Sequence, residues 1–257
     1  MLELLLHNKS SMSADQQMID TISNNIANMN TDGYKAETAE FSDLVYDSLN
    51  KNGIPVNGAS ATTLQTGTGA KINGFVRDNT EGTLNQTGQN TDFALDGPGY
   101  FKVITSNGTA AYERNGDFSI DASGTLVDQS GNRVEVQFTN GKVPLKEDNF
   151  TVANDGTVSE KNGNVTNVIG KINVYDVIGQ NAFTSVGNNL YVPNQGAQIY
   201  KTLNTNIKQG YTEGSNVNLV SEMTNMLSVQ RSFQLNSKGL STADQMWQMV
   251  NSMASNQ

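Results

Sequence analysis

Residues 219–250 read LVSEMTNMLSVQRSFQLNSKGLSTADQMWQMV, and an apolar residue returns at every seventh position of this stretch. The repeating residues are Leu219, Met226, Phe233, Leu240 and Trp247. A second row, three positions later in the repeat, consists of Val229, Ala243 and Val250, and is interrupted by Asn236. This spacing predicts a helix of about thirty residues with a narrow apolar seam of the coiled-coil type, for which Asn218 can serve as the amino-terminal cap.

The amino-terminal stretch carries a seam of the same kind. Its seven-residue repeat consists of Leu5, Met12, Ile19 and Ile26, with Ile22 and Met29 at the companion offset. The dipeptide Asp32-Gly33 follows, and a glycine at that place suits the left-handed residue that ends many helices. The sequence therefore predicts a second helix, which ends before Gly33.

The middle of the chain follows a different pattern. Asn-Gly and Asp-Gly dipeptides, which tolerate positive φ, recur from Asn52 to Gly163. Short runs rich in β-branched and aromatic residues lie between them, such as residues 100–104 (YFKVI) and 171–175 (KINVY). Such runs, bounded by turn residues, predict an antiparallel β domain.

Together these patterns predict a mixed α and β fold. Residues 1–35 and 215–257 form a discontinuous domain of paired terminal coiled-coil helices. Residues 76–192 form a central antiparallel all-β domain. Residues 36–75 and 193–214 show neither period clearly and are predicted to be extended connectors.

The narrow seams of the two helices require a partner. Neither helix alone can bury enough surface to outweigh the entropy lost on ordering it. The nearest partner is the other terminal helix, and the next is the same pair on neighbouring copies. Contacts between two different faces of identical subunits close into rings or continue as helical filaments, which favours a tubular assembly. An intramolecular two-helix stalk or a coiled-coil dimer is the alternative.

Composition excludes several classes of function. The chain of 257 residues has a net charge of −9 without a basic cluster, so nucleic acid is not an expected partner. It has no cysteine, which rules out disulfides and thiolate metal sites. Residues 1–7 carry Glu3 where a secretory signal has positive charge, and no apolar run is long enough to span a bilayer. We therefore expect that the chain carries no cleaved Sec signal and that it is not an integral membrane protein.

No arrangement in the sequence indicates catalysis. His7 is the only histidine, so a triad or a multi-histidine metal site lacks its parts. Two G-x-G beginnings have Ile72 and Lys102 where a dinucleotide fingerprint needs its third glycine. Five aspartates that could form a carboxylate cluster lie beside turn residues without EF-hand spacing: Asp92, Asp96, Asp117, Asp121 and Asp128. We expect neither a cofactor nor an enzyme. The competing interpretation is a secreted β-rich enzyme or carbohydrate-binding protein whose helices form only an oligomerisation stalk.

Several stretches resemble the flagellar rod and hook proteins. Residues 23–35, SNNIANMNTDGYK, closely resemble the amino-terminal signature of that family. Residues 213–218 (EGSNVN) and 230–238 (QRSFQLNSK) resemble its carboxy-terminal helix. Residues 93–101 (FALDGPGYF) and 111–118 (AYERNGDF) resemble the entry to its β domain. The resemblance covers nearly the whole chain.

The resemblance implies a structural role in the flagellar basal body. In the family, subunits leave the cell through the flagellar type III export apparatus, without a cleaved Sec signal, and stack helically with the paired termini lining an inner tube. The implied partners are other copies of the chain, other rod and hook proteins and the export apparatus. The single β domain, with residues 64–69 (LQTGTG) and 241–246 (STADQM), resembles members of the distal rod more than the proximal rod or hook-type alternatives.

Two groups of residues are assigned to assembly on this basis. The predicted assembly interface comprises Leu5, Met12, Ile19, Ile22, Asn24, Asn25, Ile26, Asn28, Leu219, Met226, Phe233, Asn236, Leu240 and Trp247. Within it, Asn24, Asn25 and Asn28 are expected to form hydrogen bonds between subunits, with the lining of a wet channel as the alternative. Asn236 is expected to specify the register of the helices, with a position facing the lumen as the alternative. The resemblance also implies an extra segment that stiffens the tube, to which Ile54, Pro55 and Val56 are assigned.

Overall fold

The computed structural model describes residues 2–43, 46–48, 65–67, 69–139, 141, 143–146, 149–162, 165–179, 182–202 and 204–255. The chain divides into two compact units. The first consists of Met1–Ile26, Glu37–Val76 and Asn218–Gln257, and the second of Ala27–Ala36 and Arg77–Val217. The mixed fold, with a helix at each end and an antiparallel β domain in the middle, is confirmed. The two predicted connectors fall in different units.

Two helices account for the terminal segments. Helix α1 spans Leu2–Ala27 and helix α2 spans Leu219–Ser255, so α2 is longer than its seam predicted. The predicted cap of α2 is confirmed, because Asn218 Oδ1 accepts hydrogen bonds from the backbone N–H groups of Val220 and Ser221, each at 3.1 Å. Helix α1 ends at Ala27, six residues before Gly33, so the prediction that Gly33 caps this helix is wrong. Gly33 does have the predicted left-handed conformation, with a φ of 69°.

The first unit also contains two short ribbons of β structure. Its strands are β1 (Glu37–Asp43), β2 (Tyr46–Ser48), β3 (Gln65–Gly67) and β4 (Ala70–Arg77). Strand β1 pairs with β4, and β2 pairs antiparallel with β3. The described parts of the first predicted connector therefore include strands that pair with one another. Ile54, Pro55 and Val56, to which the stiffening role is assigned, lie outside the described residues.

The second unit is built from antiparallel pairs throughout its described strands. The strands are β5 (Leu84–Gln86), β6 (Phe93–Asp96), β7 (Tyr100–Ile104), β8 (Ala110–Glu113), β9 (Ser119–Ile120), β10 (Leu126–Val127), β11 (Arg133–Val134), β12 (Val136–Phe138), β13 (Phe150–Val152), β14 (Thr157–Asn162), β15 (Val165–Ile172), β16 (Val174–Val177), β17 (Phe183–Gly187), β18 (Leu190–Pro193), β19 (Ile199–Lys201), β20 (Asn206–Gln209) and β21 (Tyr211–Glu213).

These strands form two larger sheets and two isolated pairs. The main sheet has the order β17-β18-β8-β7-β11-β10-β9, and β16 joins it by pairing with β7 and β19. A second sheet has the order β12-β15-β14-β13. Strand β20 pairs with β6 and β21 pairs with β5, so the segment leading to α2 is held against the beginning of the β domain.

The core of the second unit combines residues of the stretches that resemble the family's β-domain entry with residues of the strands around them. Its most buried side chains include Phe93, Leu95, Phe101, Val103, Phe118 and Leu126, none more than 3% exposed. The rings of Phe101 and Phe118 meet edge to face with their centroids 5.3 Å apart. Because burying such a side chain is worth about 1.5–3 kcal/mol, this cluster is a principal source of the domain's stability.

Glu113 is an exception in this apolar surrounding. It lies at the end of β8, opposite Phe101 on one side and Leu190 on the other, and is 2% exposed. Its Oε1 atom has no hydrogen-bond partner among the described residues. Burial, together with the nearby Asp128 carboxylate, raises the pKa of Glu113 to about 9. The carboxyl group therefore holds its proton at neutral pH.

This burial predicts a stability that falls as pH rises. The pKa of Glu113 is about 9 in the folded protein, above the ordinary value of 4.5. The contribution of the protonated carboxyl group to the free energy of unfolding is therefore complete below pH 4.5 and is lost as the pH rises through 9. Glu113→Gln, which cannot ionise, should remove a slope of up to about 1.4 kcal/mol per pH unit. Urea unfolding of both chains between about pH 5 and pH 9, the interval between the two pKa values, measures this slope. Equal slopes would contradict the assignment.

Candidate assembly site

The terminal helices run antiparallel, and polar contacts fix their register. Asp15 Oδ2 of α1 accepts hydrogen bonds from Ser232 Oγ at 3.1 Å and from Asn236 Nδ2 at 2.8 Å. A second contact involves Asn8, seven residues before Asp15 in α1, and Gly239, seven residues after Ser232 in α2. A Cβ added at Gly239 would lie 3.0 Å from Asn8 Nδ2. Because a move of seven residues towards the start of α1 matches a move of seven residues towards the end of α2, the two helices are antiparallel and keep the same register between these contacts.

Asn25 extends this register towards the other end of the pair. It lies ten residues after Asp15 and hydrogen-bonds the side chain of Glu222, which lies ten residues before Ser232. Asn25 is only 1% exposed. Its Nδ2 donates to Glu37 O at 2.9 Å, and its Oδ1 accepts from Glu37 N at 3.0 Å. The side chain therefore ties α1 to the start of β1 within one subunit.

Most of the predicted seam residues are at least half-buried in the single subunit. Ile22 is 4% exposed, and the half-buried ones are Leu5, Met12, Ile19, Ile26, Leu219, Met226, Phe233, Asn236 and Leu240. The most buried contributors from α2 are Val229 and Ala243, and α1 adds Ala14, which lies off the predicted seam. Asn24 is exposed and Asn28 half-buried, with its Oδ1 accepting from Thr31 Oγ1 at 3.2 Å. An intersubunit role for these two asparagines stays a prediction.

Helix α2 continues beyond the end of α1. In the observed register, Leu2, the first residue of α1, lies opposite about residue 245 of α2, whereas α2 runs on to Ser255. We call residues 246–255 the overhang. The overhang carries no charged residue. Its large apolar side chains are exposed, from 40% to 67%: Met246, Trp247, Met249, Val250 and Met253. The predicted seam residue Trp247 therefore lies beyond the intramolecular helix pair.

The second unit contains a buried ionic junction. The side chains of Lys35 and Arg114 are 3% exposed and that of Glu213 is 0% exposed. Lys35 Nζ donates to Glu213 Oε1 at 2.7 Å, and Arg114 Nε donates to Glu213 Oε2. Arg114 also donates to the carbonyl oxygens of Gly99, at 2.6 Å, and Leu95, at 3.1 Å. Because each charged group is paired, the cluster avoids the large cost of isolated buried charges.

The junction holds together the two passages of the chain that adjoin the helices. Gly33 N donates to Glu213 O at 2.6 Å, and Ala36 N donates to Asn216 Oδ1 at 2.8 Å. Gly82 N donates to Glu213 Oε1 at 2.9 Å, which adds a backbone donor to the carboxylate. The residues that follow α1 and those that precede α2 thus lie side by side on the β domain.

In the junction, burial and ion pairing shift the pKa of each group in opposite directions. Burial alone would raise the pKa of Glu213, but the charges and hydrogen bonds of Arg114 and Lys35 and the N–H of Gly82 hold it below the ordinary value. Burial lowers the pKa of Lys35, with repulsion from Arg114 in the same direction, and Glu213 partly offsets both effects. The carboxylate is therefore ionised and bound from both sides.

The sequence did not predict this junction. Lys35, Arg114 and Glu213 each lie in a different stretch that carries the family resemblance, and that shared placement was the available signal. No described group of three or more histidine, cysteine, aspartate or glutamate residues could hold a metal ion. Among the described residues, no helix combines the length and hydrophobicity that a membrane crossing requires.

Three family models match the chain. Residues 5–35 match the model described as flagella basal body rod protein, and residues 94–160 match the flagellar hook protein FlgE/F/G D1 domain. Residues 208–253 match the carboxy-terminal model of the flagellar basal body rod FlgEFG proteins. All three descriptions name one class of protein, the rod and hook proteins of the bacterial flagellum. The three junction residues lie in three different matched regions.

Curated relatives show which members of this class the chain is similar to. The flagellar basal-body rod protein FlgG of Buchnera aphidicola subsp. Acyrthosiphon pisum is 35% identical over 265 positions, which cover 98% of this chain and all of the relative. FlgG of Bacillus subtilis is 33% identical, with 96% and 97% covered. The flagellar hook-basal body complex protein FlhP of Bacillus subtilis is 31% identical, with 98% and 100% covered. The chain belongs to the flagellar basal-body rod protein family.

The junction predicts a large penalty for removing its anion. Glu213→Gln leaves Lys35 and Arg114 buried without their counter-charge and should destabilise the protein by about 3–5 kcal/mol. Lys102→Gln is the matched control, since it removes a more exposed ion pair, in which Nζ lies 2.7 Å from Glu135 Oε1, and should cost about 1 kcal/mol or less. Urea denaturation followed by circular dichroism compares the two variants. Equal losses would contradict the special role of the junction.

Gly33 gives a second, steric prediction. A Cβ at this position would lie 2.5 Å from the backbone nitrogen of Asn115, and φ is already 69°. Gly33→Ala should therefore cost about 3 kcal/mol, combining left-handed strain with overpacking. Gly108→Ala isolates the strain, because Gly108 has a φ of 77° with no atom within 4 Å of an added Cβ, and it should cost about 1 kcal/mol. Thermal unfolding separates the contributions, and similar values for both variants would exclude the close approach.

Proposed function

We propose that the chain is a structural subunit of the flagellar basal-body rod that polymerises helically in its distal part. Membership in the rod protein family supports a structural role in the basal body, and a structural family implies a function other than catalysis. The tube would transmit torque towards the hook and conduct exported subunits. Its partners would be other copies of the chain, neighbouring rod and hook proteins and the flagellar export apparatus.

The overhang is the observation that carries this proposal. The heptad row that is buried at Ala243 continues into the overhang as Val250, which is 46% exposed, and the companion row continues as Trp247, which is 51% exposed. The seam therefore extends from the interface between α1 and α2 into a stretch where Trp247 and Val250 are exposed. Because the overhang is uncharged and exposes large apolar side chains, it is suited to a second apolar helix surface. A second copy of the chain is the occupant we propose.

The other end of α2 offers a surface for this contact. Val220, Met223 and Leu227 are 75%, 52% and 57% exposed, and their spacing of three and four residues places them on one helix face. We call these three residues the stripe. Met223 and Met249 are 26 residues apart in the same helix, which separates stripe and overhang by about 40 Å. An overhang on the stripe of the next copy makes a contact between different faces, which continues as a filament.

The buried junction supports the mechanical part of the proposal. A subunit under torque is stressed where its chain passes from the helices to the β domain. At those passages Glu213 joins Lys35 and Arg114, and backbone hydrogen bonds join Gly33 and Gly82 to the same residue. Such a buried, fully paired cluster opposes separation of the two passages, because separating them would leave charges unpaired in the interior.

A pair of polar substitutions in the overhang tests the proposal. Trp247→Ser with Val250→Asn should leave the unfolding curve of the monomer unchanged, because both side chains are about half exposed, and should reduce polymerisation at least tenfold through loss of the apolar contact. The assay is sedimentation of the purified full chain, with isolated basal bodies as seeds. Hydrogen exchange in residues 246–255 should be fast in the monomer and slow in the polymer.

The matched control is Leu235→Asn. Leu235 lies on the same helix and is 70% exposed, but it belongs to neither the overhang nor the stripe, so this variant should polymerise normally. Normal polymerisation of the overhang variant would contradict the proposal. Equal impairment of the control would show that general surface hydrophobicity, and not the overhang, drives association.

A further inference from the structure

Sulfur in this chain is confined to the terminal segments. All nine methionines lie within residues 1–29 and 223–253, and there is no cysteine. The β domain between them therefore contains no side chain with a sulfur atom. A mild two-electron oxidant that reacts with thioethers can modify the terminal helices while leaving the β domain chemically unchanged.

The methionines differ in their exposure. Three of them lie in the overhang, where Met246, Met249 and Met253 are 40%, 57% and 67% exposed. Met223, which belongs to the stripe, is 52% exposed, whereas Met12 and Met18 of α1 are half-buried. Since the oxidation of methionine follows the accessibility of its sulfur, the overhang is the most reactive cluster of thioethers in the described part of the chain.

We propose that Met246, Met249 and Met253 form a peroxide-modifiable site that controls polymerisation. This inference rests on the proposed function, since it regulates the overhang contact. In the reaction the thioether sulfur attacks one oxygen of hydrogen peroxide and the O–O bond breaks. A sulfur–oxygen bond forms and the second oxygen leaves as water with both hydrogens. The sulfur is oxidised by two electrons and the peroxide is reduced by two.

The product acts on assembly and not on folding. Methionine sulfoxide is polar and a hydrogen-bond acceptor, whereas methionine is apolar and adaptable. In the monomer the three side chains are substantially exposed, so the new oxygen stays in water and the subunit keeps its fold. Against the apolar stripe of a second copy the same oxygen would be buried without a donor, which disfavours the contact. Sulfoxide reduction would restore it.

The first test is chemical and uses the monomer alone. The purified full chain is treated with hydrogen peroxide, and peptide mass spectrometry follows the oxidation rate of each methionine. Met246, Met249 and Met253 should react several-fold faster than Met12 and Met18. Equal rates at all five positions would overturn the site, whether or not the chain polymerises.

The second test joins modification to assembly. The reference chain for this test carries Met223→Leu, which removes the exposed thioether of the stripe, and the test variant adds Met246→Leu, Met249→Leu and Met253→Leu, which keep the overhang apolar but remove its thioethers. Peroxide should reduce sedimentable polymer about tenfold for the reference chain and leave the test variant unaffected, and treatment with the two methionine sulfoxide reductases should restore polymer formation by the reference chain. A test variant that polymerises normally but stays equally sensitive to peroxide would overturn the inference. Failure of the untreated, unsubstituted chain to polymerise would instead refute the proposed function, and the regulation with it.

Discussion

The carboxylate of Glu213 is the group on which the arrangement of the second unit most depends. It lies in a fully buried position between two cations that come from distant parts of the chain, Lys35 and Arg114. Burial makes the arrangement sensitive to loss of Glu213, because both buried cations would then lose their shared counter-charge. Around this group the backbone of Gly33 and Gly82 is also held by hydrogen bonds. A single acidic side chain thus links three stretches of sequence that the family models match separately.

The helical unit follows a different principle, in which polar contacts set the register and apolar ones supply the area. Asp15 accepts from two residues one helical turn apart on α2, so a shift of α1 along α2 would break both hydrogen bonds. Small residues such as Ala14 and Ala243 are nearly fully buried and contribute to this apolar area. Asn236, the polar interruption of the apolar row, is one of the residues that specify this alignment.

The features that could be predicted from the sequence are those that depend on local periodicity. The heptad rows predicted both helices, and Asn218 predicted the start of α2, because caps and seams depend on neighbours within a few residues. The end of α1 at Ala27 was not predicted from Gly33, which lies six residues further along the chain. The ionic junction was missed because Lys35 and Glu213 are 178 residues apart, and no local rule joins them. The overhang was missed for a related reason. The row continues evenly through Trp247 and Val250, and a pattern cannot tell which copy of α1 covers it.

The unequal lengths of α1 and α2 have a consequence for the two ends of any filament built in this way. One end would present an uncovered overhang and the other an uncovered stripe, so the ends are chemically different and the filament is polar. A cap or adaptor protein at one end needs only an acceptor for an uncharged, methionine-rich helix tip, whereas one at the other end must itself supply such a tip. Direction of growth and the identity of the next component would then be determined by which end is open.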